Sequence, residues 1–243
     1  MNIEGRNQVV EAIKNGKTIN KIFVDKNYAS RKDDIIALAK QNRLRVEFLP
    51  KKAMDEISVT GHHQGYIADT VDFEYCEVED ILDEAKKKNH DAFVVLLDGI
   101  EDPHNLGAII RTCECAGVDG IVIPKQRACQ VNETVVRTSA GAIANVKIAR
   151  VTNLKEAIDT LKENGLWIYV SETGGESIYK QNLKGPIGIV VGSEGNGVKP
   201  SLRAYCDGII TLPLKGSVNS LNASVASALC VYEVLRQREH TSV

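Results

Sequence analysis

The spacing of apolar residues gives the first part of the chain an alternating character. Over residues 1–74, apolar positions recur with a period near 3.6 in some segments, which is typical of helices, and as short β-branched runs in others, which are typical of strands. The pattern predicts a small α/β unit. Its predicted helices are GRNQVVEAI, RKDDIIALAKQN and KKAMDEI, and its predicted strands are KIFVDK, RVEFLP and GYIADTV.

Beyond an acidic segment around residue 75 the pattern changes, because the predicted strands become continuous apolar runs. Such runs, alternating with amphipathic helices, indicate a largely parallel sheet that is covered on both faces. We therefore predict an α/β chain with a first domain at residues 1–74 and a second at 75–243. The second domain has predicted strands FVVLLD, GIVIP, VKIARV, LWIYVSE, IGIVVGS and GIITLPL, and predicted helices in NLGAIIRTCECAG, ETVVRTSAG, NLKEAIDTLKENG and the C-terminal segment.

Composition limits the class of protein. The 243 residues are 43% hydrophobic, enough to fill a core, yet no run approaches the roughly 18 apolar residues of a membrane span. The first residues lack the charged and then apolar plan of a signal peptide, so we expect a cytoplasmic protein. The six cysteines form no CxxC pair and no cluster with histidines, so we interpret them as reduced packing residues and expect no metal site.

The net charge of −2 conceals a strong segmentation. Residues 1–54 carry +6, residues 55–91 carry −8, and the remainder is neutral. A basic first domain favours contact with a nucleic acid, although each cation could equally lie on a solvated face. The same ambiguity applies to His62 and His63. The candidate RNA contacts are Lys14, Lys17, Lys21, Arg43 and Arg45.

Three polar loops follow predicted strands and should meet at one edge of the sheet. In DGIEDPHNLGAIIRT, Asn105 is a predicted helix N-cap and Arg111 lies inside the helix. In VVGSEGNGVKP, three glycines surround Glu194, but the segment matches neither the Walker nor the dinucleotide-binding template. A solvated turn and a solvated arginine remain open alternatives for these two loops.

The third loop, LPLKGSVNSLNASVASALCVYEVL, leads directly into a helix. Ser220 or Asn219 is the predicted cap, which leaves several serines and asparagines without a structural task. Because few cations are nearby, the loop suits a ligand with many hydrogen-bonding edges better than a polyphosphate. The helix carries an apolar stripe formed by Leu221, Val225, Leu229 and Tyr232.

These three loops resemble the three signature motifs of the SpoU (TrmH-like) RNA ribose 2′-O-methyltransferases of the SPOUT superfamily. The matching segments are DPHNLGAIIRT, IGIVVGSEGNGV and ITLPLKGSVNSLNASVASAL. GRNQVVEAI and TGHHQGYIA resemble the substrate-binding domain of the RlmB-like branch, which modifies a guanosine in large-subunit (23S) rRNA. The resemblance implies a parallel SPOUT domain with a C-terminal trefoil knot, S-adenosylmethionine as cofactor, an RNA substrate, and a homodimer formed through the knotted region.

The resemblance also implies roles for individual residues. The cofactor pocket corresponds to Gly192, Leu212 and Leu221. An arginine is usually given as the general base of the family, and Arg111 matches it. Because a guanidinium pKa lies above about 12, we assign Arg111 to the 2′-hydroxyl and the adjacent phosphate, and whether it also takes the proton stays open. The polar residues implied in catalysis are Asn105, Arg111, Glu194, Ser220 and Asn222.

Among these residues, Asn105 and Glu194 are expected to hold the arginine and the motif loops, and Ser220 and Asn222 to shape the cofactor side. Three other functions stay open at this point. They are tRNA 2′-O-methylation, a non-catalytic rRNA-binding role in ribosome assembly, and a nucleotide-dependent transferase or dehydrogenase, which the failed glycine-loop templates disfavour.

Overall fold

The computed structural model describes residues 2–29, 33–71 and 73–239. The chain divides into two compact units, one formed by residues 1–74 with 131–133 and the other by 75–130 with 134–243. The start of the helix predicted at RKDDIIALAKQN, Arg31 and Lys32, lies outside the described residues.

The first unit is a four-stranded mixed sheet with helices. Its elements are β1 (Asn2–Glu4), α1 (Arg6–Lys14), β2 (Ile19–Asp25), a 3-10 turn (Lys26–Tyr28), α2 (Asp34–Gln41), β3 (Arg45–Leu49), α3 (Lys51–Ile57) and β4 (Tyr66–Thr70). The strand order is β1-β4-β2-β3, with β2 and β3 parallel and the other pairs antiparallel. All six predicted elements are confirmed; the three-residue strand β1 was not predicted, because it is too short for a periodic signal.

The second unit contains a six-stranded sheet that is parallel throughout. Its elements are α4 (Val78–Lys88), β5 (Phe93–Asp98), α5 (Pro103–Cys115), β6 (Gly120–Pro124), α6 (Glu133–Thr138), a 3-10 turn (Ala142–Ala144), β7 (Lys147–Val151), α7 (Leu154–Glu163), β8 (Trp167–Ser177), β9 (Ile187–Gly192), α8 (Pro200–Arg203), β10 (Gly208–Thr211) and α9 (Ala223–Glu239). The strand order is β10-β8-β9-β5-β6-β7. The predicted parallel sheet is confirmed.

Alternating side chains of the central strands fill two apolar layers. Val94 and Leu96 of β5 join Ile81 of α4 and Ile158 of α7 in one buried cluster, so these two helices cover one face of the sheet. Helices α5 and α9 contact each other, and α9 contacts β9 and β8. Both faces of the central strands are therefore covered, so ligand sites are expected at the ends of the strands.

Helix α9 buries a different face from the apolar stripe seen in the sequence. Val225, Leu229 and Tyr232 are 46%, 44% and 49% exposed. Most of the buried positions are instead small or β-branched, which permits close approach of the helix to the sheet, and the long polar side chains of Glu233 and Gln237 are buried as well. The small and β-branched positions are Ala223, Ser227, Cys230, Val231 and Val234.

Within the described residues, no helix is both long and apolar enough to cross a membrane. The six cysteines are all free thiols. Burial raises the pKa of Cys113, and it raises the pKa of Cys230 to about 11, so both thiols stay protonated near neutral pH.

Candidate active site

Three polar loops meet at the carboxyl edge of the six-stranded sheet. One follows β5 and enters α5, the second follows β9, and the third follows β10 and enters α9. Strands β5 and β9 are hydrogen-bonded neighbours in register from Phe93↔Ile187 to Asp98↔Gly192, so their loops emerge side by side. This is the edge at which open parallel sheets bind ligands.

One side chain from each loop joins a triangle of hydrogen bonds. The Asn105 amide Nδ2 donates to Glu194 Oε1 at 3.0 Å, and Asn222 Nδ2 donates to Asn105 Oδ1 at 3.0 Å. Asn222 Nδ2 also donates to Glu194 Oε1. We name this the Asn105–Glu194–Asn222 triangle. Because its members are up to 117 residues apart in the chain, it fixes the three loops relative to one another.

The predicted capping role of Asn105 is wrong. Helix α5 begins at Pro103, and Asp102 is its N-cap. Asp102 Oδ1 accepts from the His104 amide at 2.9 Å. Proline is favoured at the first helical position because its fixed φ suits a helix and its missing N–H would have no partner. Asn105 therefore lies inside the first turn, and its side chain is available to the triangle.

The predicted cap of α9 is also displaced, from Ser220 or Asn219 to Asn222. Asn222 Oδ1 accepts from the amides of Ser224 and Val225 at 3.0 and 3.3 Å. Its amide nitrogen remains free to donate into the triangle, so one side chain both caps the helix and links the loops. Glu194 adds to this helix start, because Oε1 accepts from the Ala223 amide at 3.2 Å, where a carboxylate is favoured by the helix dipole.

A cavity of about 200 Å³ opens beside the triangle. All three residues expected at a cofactor pocket line it, namely Gly192, Leu212 and Leu221, and so do Glu194 and Ser220. Of the residues that the structure describes in its lining, Glu172 and Glu194 are ionisable carboxylates and none is a lysine or arginine. Glu172 is ion-paired with Arg203 at 3.1 Å, which leaves Glu194 as the lining carboxylate without a cationic partner in the described ranges. The cavity thus suits a ligand with hydrogen-bonding edges and a positive charge better than a polyphosphate.

Glycine is required where the second loop folds back on itself. A Cβ at Gly192 would lie 2.1 Å from the carbonyl carbon of Gly197, closer than any side chain permits. Gly197 itself has φ +60°, and Ser193 pairs with it in an isolated bridge. Two of the glycines seen in the sequence therefore serve a tight backbone turn over the cavity.

The sequence reasoning missed one wall of the cavity, formed by Ser171, Glu172 and Thr173 of β8. This strand bulges outward, because Ile209 pairs with Val170 but the next residue, Ile210, pairs with Glu176. The Thr211 hydroxyl holds the bulge by donating to the Glu172 carbonyl at 2.7 Å and accepting from the Gly175 amide at 2.8 Å. The paired glycines in SETGGES are the only signal of this bulge in the sequence.

Lys199, which follows the glycine loop, has a structural role. Its ammonium lies 2.6 Å from Asp98 Oδ1, and its backbone amide donates to Asp98 Oδ2 at 3.0 Å. Asp98 ends β5 and its side chain is only 2% exposed. The pair ties the second loop to the end of the neighbouring strand, so this lysine is not a phosphate ligand.

Arg111 lies apart from the triangle. It is exposed on α5, six residues after Asn105, which corresponds to about 120° around the helix. Across residues 2–29, 33–71 and 73–239 it has no hydrogen-bond or ion-pair partner, so the expectation that Asn105 and Glu194 hold this arginine is not met. Those two side chains hold the loops instead.

Within the described part of the chain, no group of three or more His, Cys, Asp or Glu residues is arranged to hold a metal ion. The site therefore consists of the triangle, the glycine turn, the bulge of β8 and an exposed arginine.

Comparison with known families matches the chain in two parts. Residues 92–232 match the model described as the SpoU rRNA Methylase family, and residues 2–76 match the model described as RNA 2′-O ribose methyltransferase substrate binding. A protein of Staphylococcus saprophyticus, named as a TrmH family tRNA/rRNA methyltransferase, is 43% identical over 98% of this chain and 96% of its own length.

Two solved structures are similar in fold. An S-adenosylmethionine-bound rRNA methyltransferase from Sinorhizobium meliloti superposes with a TM-score of 0.61 at 23% identity, covering 97% of this chain and 86% of that one. The TrmH/SpoU tRNA-modifying enzyme of A. aeolicus superposes with a TM-score of 0.58 at 27% identity, covering 68% of this chain and 85% of that one.

Proposed function

The chain belongs to the SpoU rRNA Methylase family, and from that premise we propose that it methylates the 2′-hydroxyl of a guanosine ribose in large-subunit (23S) rRNA. At the coarser level the protein is an S-adenosylmethionine-dependent RNA methyltransferase. The observation that carries the proposal is the Asn105–Glu194–Asn222 triangle, because it joins all three family motifs beside one cavity.

The cavity fits the cofactor by its chemistry. When bound, S-adenosylmethionine supplies an electrophilic methyl group on a positively charged sulfonium. The backbone around Gly192, Leu212 and Leu221 would hold it, and the Glu194 carboxylate in the lining favours a cationic ligand over an anionic one. The other carboxylate of the lining, Glu172, already pairs with Arg203 at 3.1 Å. The family's trefoil knot, proposed here for the C-terminal region, would keep these loops in one arrangement.

Arg111 is the proposed RNA contact at the reacting ribose. Its guanidinium is exposed and has no protein partner in the described ranges, so it is available to the phosphate and hydroxyl of an incoming nucleotide. Bidentate donation would orient the 2′-hydroxyl for attack, and the hydroxyl proton would pass to solvent water as the 2′-oxygen gains the methyl group, because arginine is a poor base near neutral pH. Ser220, on the cavity wall, and Asn222 would position the cofactor side.

We expect Arg111→Ala to lower methyl transfer to RNA by about a hundredfold with S-adenosylmethionine affinity unchanged. Arg111→Lys keeps the charge but not the planar fork, so it should recover only part of the activity. Normal turnover in Arg111→Ala would contradict the assignment.

The first unit is the proposed RNA-binding domain. Helix α1 ends at Lys14 and β2 begins shortly after Lys17; α2 ends just before Arg43, and Arg45 begins β3. Because β2 and β3 are parallel with Lys21 opposite Arg45, all five basic candidates lie at one end of the unit. Lys21 is the weakest candidate, since its ammonium already pairs with Glu47 at 3.2 Å.

The rRNA target is favoured by the extent of the structural similarity. The similarity to the S. meliloti rRNA methyltransferase extends over 97% of this chain, whereas that to the A. aeolicus tRNA-modifying enzyme extends over 68%. A tRNA target is the alternative, because the staphylococcal relative is named for both RNAs. Mapping ribose methylation in cells with and without the protein tests the choice: loss of one mark in 23S rRNA is expected, and loss of a mark in tRNA alone would overturn it.

A homodimer through α9 is the proposed assembly. Val225, Leu229 and Tyr232 form an exposed apolar stripe, which a partner helix would cover. Light scattering should give twice the mass of one chain, and Leu229→Glu should shift the protein toward monomer at the same concentration.

A further inference from the structure

The amino edge of the six-stranded sheet, opposite the active site, carries an aromatic cavity of about 370 Å³. Trp167 and Tyr169 alternate onto the same face of β8, and both line this cavity together with Pro186 and Ile187. Trp167 is 61% exposed, which is a large apolar area to leave in water. A lone exposed tryptophan means little, but one that forms the wall of a cavity offers a flat stacking surface.

The opposite wall of the cavity is held in place by α9. Gln237, which is buried, donates through Nε2 to the Gln181 carbonyl at 3.0 Å and accepts through Oε1 from the Leu183 amide at 2.9 Å. The Gln181 side chain in turn donates to the Tyr169 hydroxyl at 2.8 Å. The cavity therefore exists before any ligand arrives.

A second, more open cavity of about 850 Å³ adjoins the aromatic one, since Gly185 lines both. Its cationic lining residues are Lys86, Lys184 and Arg238, against one carboxylate, Asp91. Arg238 donates only to carbonyl oxygens, those of residues 91, 92 and 185, at 2.9–3.1 Å. Its guanidinium is thus held at the cavity wall by backbone carbonyls, and the nearby carboxylates of Asp91 and Asp119 interact with its charge electrostatically.

We propose that the two adjoining cavities, which we name the Trp167–Lys184 surface, bind a single-stranded segment of RNA. A base would stack on Trp167, and the neighbouring phosphates would lie against Lys184 and Arg238. Lys86 would contribute less, because its ammonium already pairs with Asp83 at 3.4 Å. An aromatic platform beside a cationic groove is the arrangement that binds single strands with little sequence preference. This inference rests on the proposed function, because it assumes that the substrate is RNA.

The Trp167–Lys184 surface lies at the opposite end of the strands from the cofactor cavity. A six-residue strand spans about 20 Å, so the bound segment is distinct from the reacting nucleotide. The surface would add affinity and orient a flexible part of the substrate without contacting the chemistry.

The test uses the only tryptophan of the chain as its own probe. Titration of the full-length protein with an oligouridylate of about ten nucleotides should quench tryptophan emission, with an affinity that falls as salt rises. Lys184→Glu should weaken the Kd about tenfold. Lys180→Glu is the matched control, because Lys180 is exposed on the same connection but lines neither cavity, and it should bind like the wild type.

Fluorescence anisotropy of a labelled oligouridylate completes the test for variants that lack tryptophan. Trp167→Ala should bind about tenfold more weakly, and Trp167→Phe, which keeps a stacking ring, should recover most of the loss. Binding seen by anisotropy without any quenching, or equal affinity in Trp167→Ala and the wild type, would overturn the inference. So would a change of oligomeric state in Trp167→Ala, which would identify the surface as an interface between copies.

The outcomes separate this inference from the proposed function. Methyl transfer to rRNA without tryptophan quenching would leave the function standing and reject the surface. Quenching in a protein that methylates no RNA would reject the function and retain the surface. S-adenosylmethionine affinity, measured by calorimetry, should be the same in the wild type, Lys184→Glu and Trp167→Ala.

Discussion

Two glutamates in this protein each hold a loop in place, and they differ in what they leave exposed. Glu4, at the end of β1, is 6% exposed and accepts from the Ser58 hydroxyl at 2.8 Å, the Thr60 amide at 3.2 Å, the Val59 amide and the Thr60 hydroxyl. Glu194 is exposed, and its three bonds from Asn105, Asn222 and Ala223 all go to one oxygen, Oε1.

The environments of the two carboxylates explain their different roles. Burial alone would raise the pKa of Glu4, but the hydrogen bonds from Thr60, Val59 and Ser58 outweigh it and lower the pKa to about 2. The Glu4 carboxylate thus accepts its hydrogen bonds from the loop at residues 58–60, and we expect it to contribute to stability. Glu194 lines the cofactor cavity while it joins the motif loops, so it can act on function. A carboxylate whose two oxygens both accept hydrogen bonds from the protein has a structural role. A carboxylate with one oxygen exposed to solvent remains available to a ligand.

The largest effect is expected at the turn that Glu194 occupies. Gly192→Val would place side-chain carbon about 2 Å from the Gly197 backbone, so the turn must open and S-adenosylmethionine affinity should fall by more than about a hundredfold. Calorimetric titration measures this. Gly195→Ala is the control, because a Cβ at Gly195 would meet nothing within 4 Å. Equal losses in both variants would show that the loop tolerates no change and that the Gly192 contact is not special.

Glu194→Ala should separate function from stability. It removes the common acceptor of the triangle, so methyl transfer to RNA should fall about a hundredfold. The free energy of unfolding should fall by only about 1 kcal/mol, because Asn222 still caps α9 and the site is open to water. Turnover comes from single-turnover assays and stability from urea unfolding. A large loss of stability with normal turnover would reverse the comparison with Glu4.

Glu4→Gln should have the opposite signature. It should lower the free energy of unfolding at pH 7 by about 2 kcal/mol, while methyl transfer per folded molecule stays unchanged. Both oxygens of Glu4 accept hydrogen bonds, and glutamine replaces one of them with an NH2 group that cannot accept. Reduced turnover at full stability would assign Glu4 to the function instead.

The smallest expected effect is on the pH dependence of stability, which tests the structural role of Glu4. Since the folded pKa of Glu4 lies below its unfolded value of 4.5, its stabilisation is present above pH 4.5 and is lost as the pH falls through about 2. The urea midpoint of unfolding should therefore decrease more between pH 7 and pH 3 in the wild type than in Glu4→Gln. Parallel losses in the two proteins would show that other carboxylates govern the acid response.

The local elements could be predicted from the sequence because their signals are local. Hydrophobic periodicity and β-branched runs predicted every strand except β1, and Asn105, the predicted cap of α5, lies within a few residues of the cap that the structure shows. The caps could not be predicted to the residue, since Asp102, Asn105, Asn219, Ser220 and Asn222 are all competent capping residues. Which of them caps depends on what else each can bond in the folded chain.

The sequence by itself determined the α/β class, the motif loops and the family, because hydrophobic period and motif spacing are properties of the chain alone. Only the tertiary structure decided which side chains meet. Strand order places β9 beside β5, and this long-range pairing brings Asn105, Glu194 and Asn222 together. It also decided that α9 buries a face of mostly small and β-branched residues and exposes its apolar stripe, since close packing against the sheet, rather than side-chain size, sets the face of a helix that lies on it.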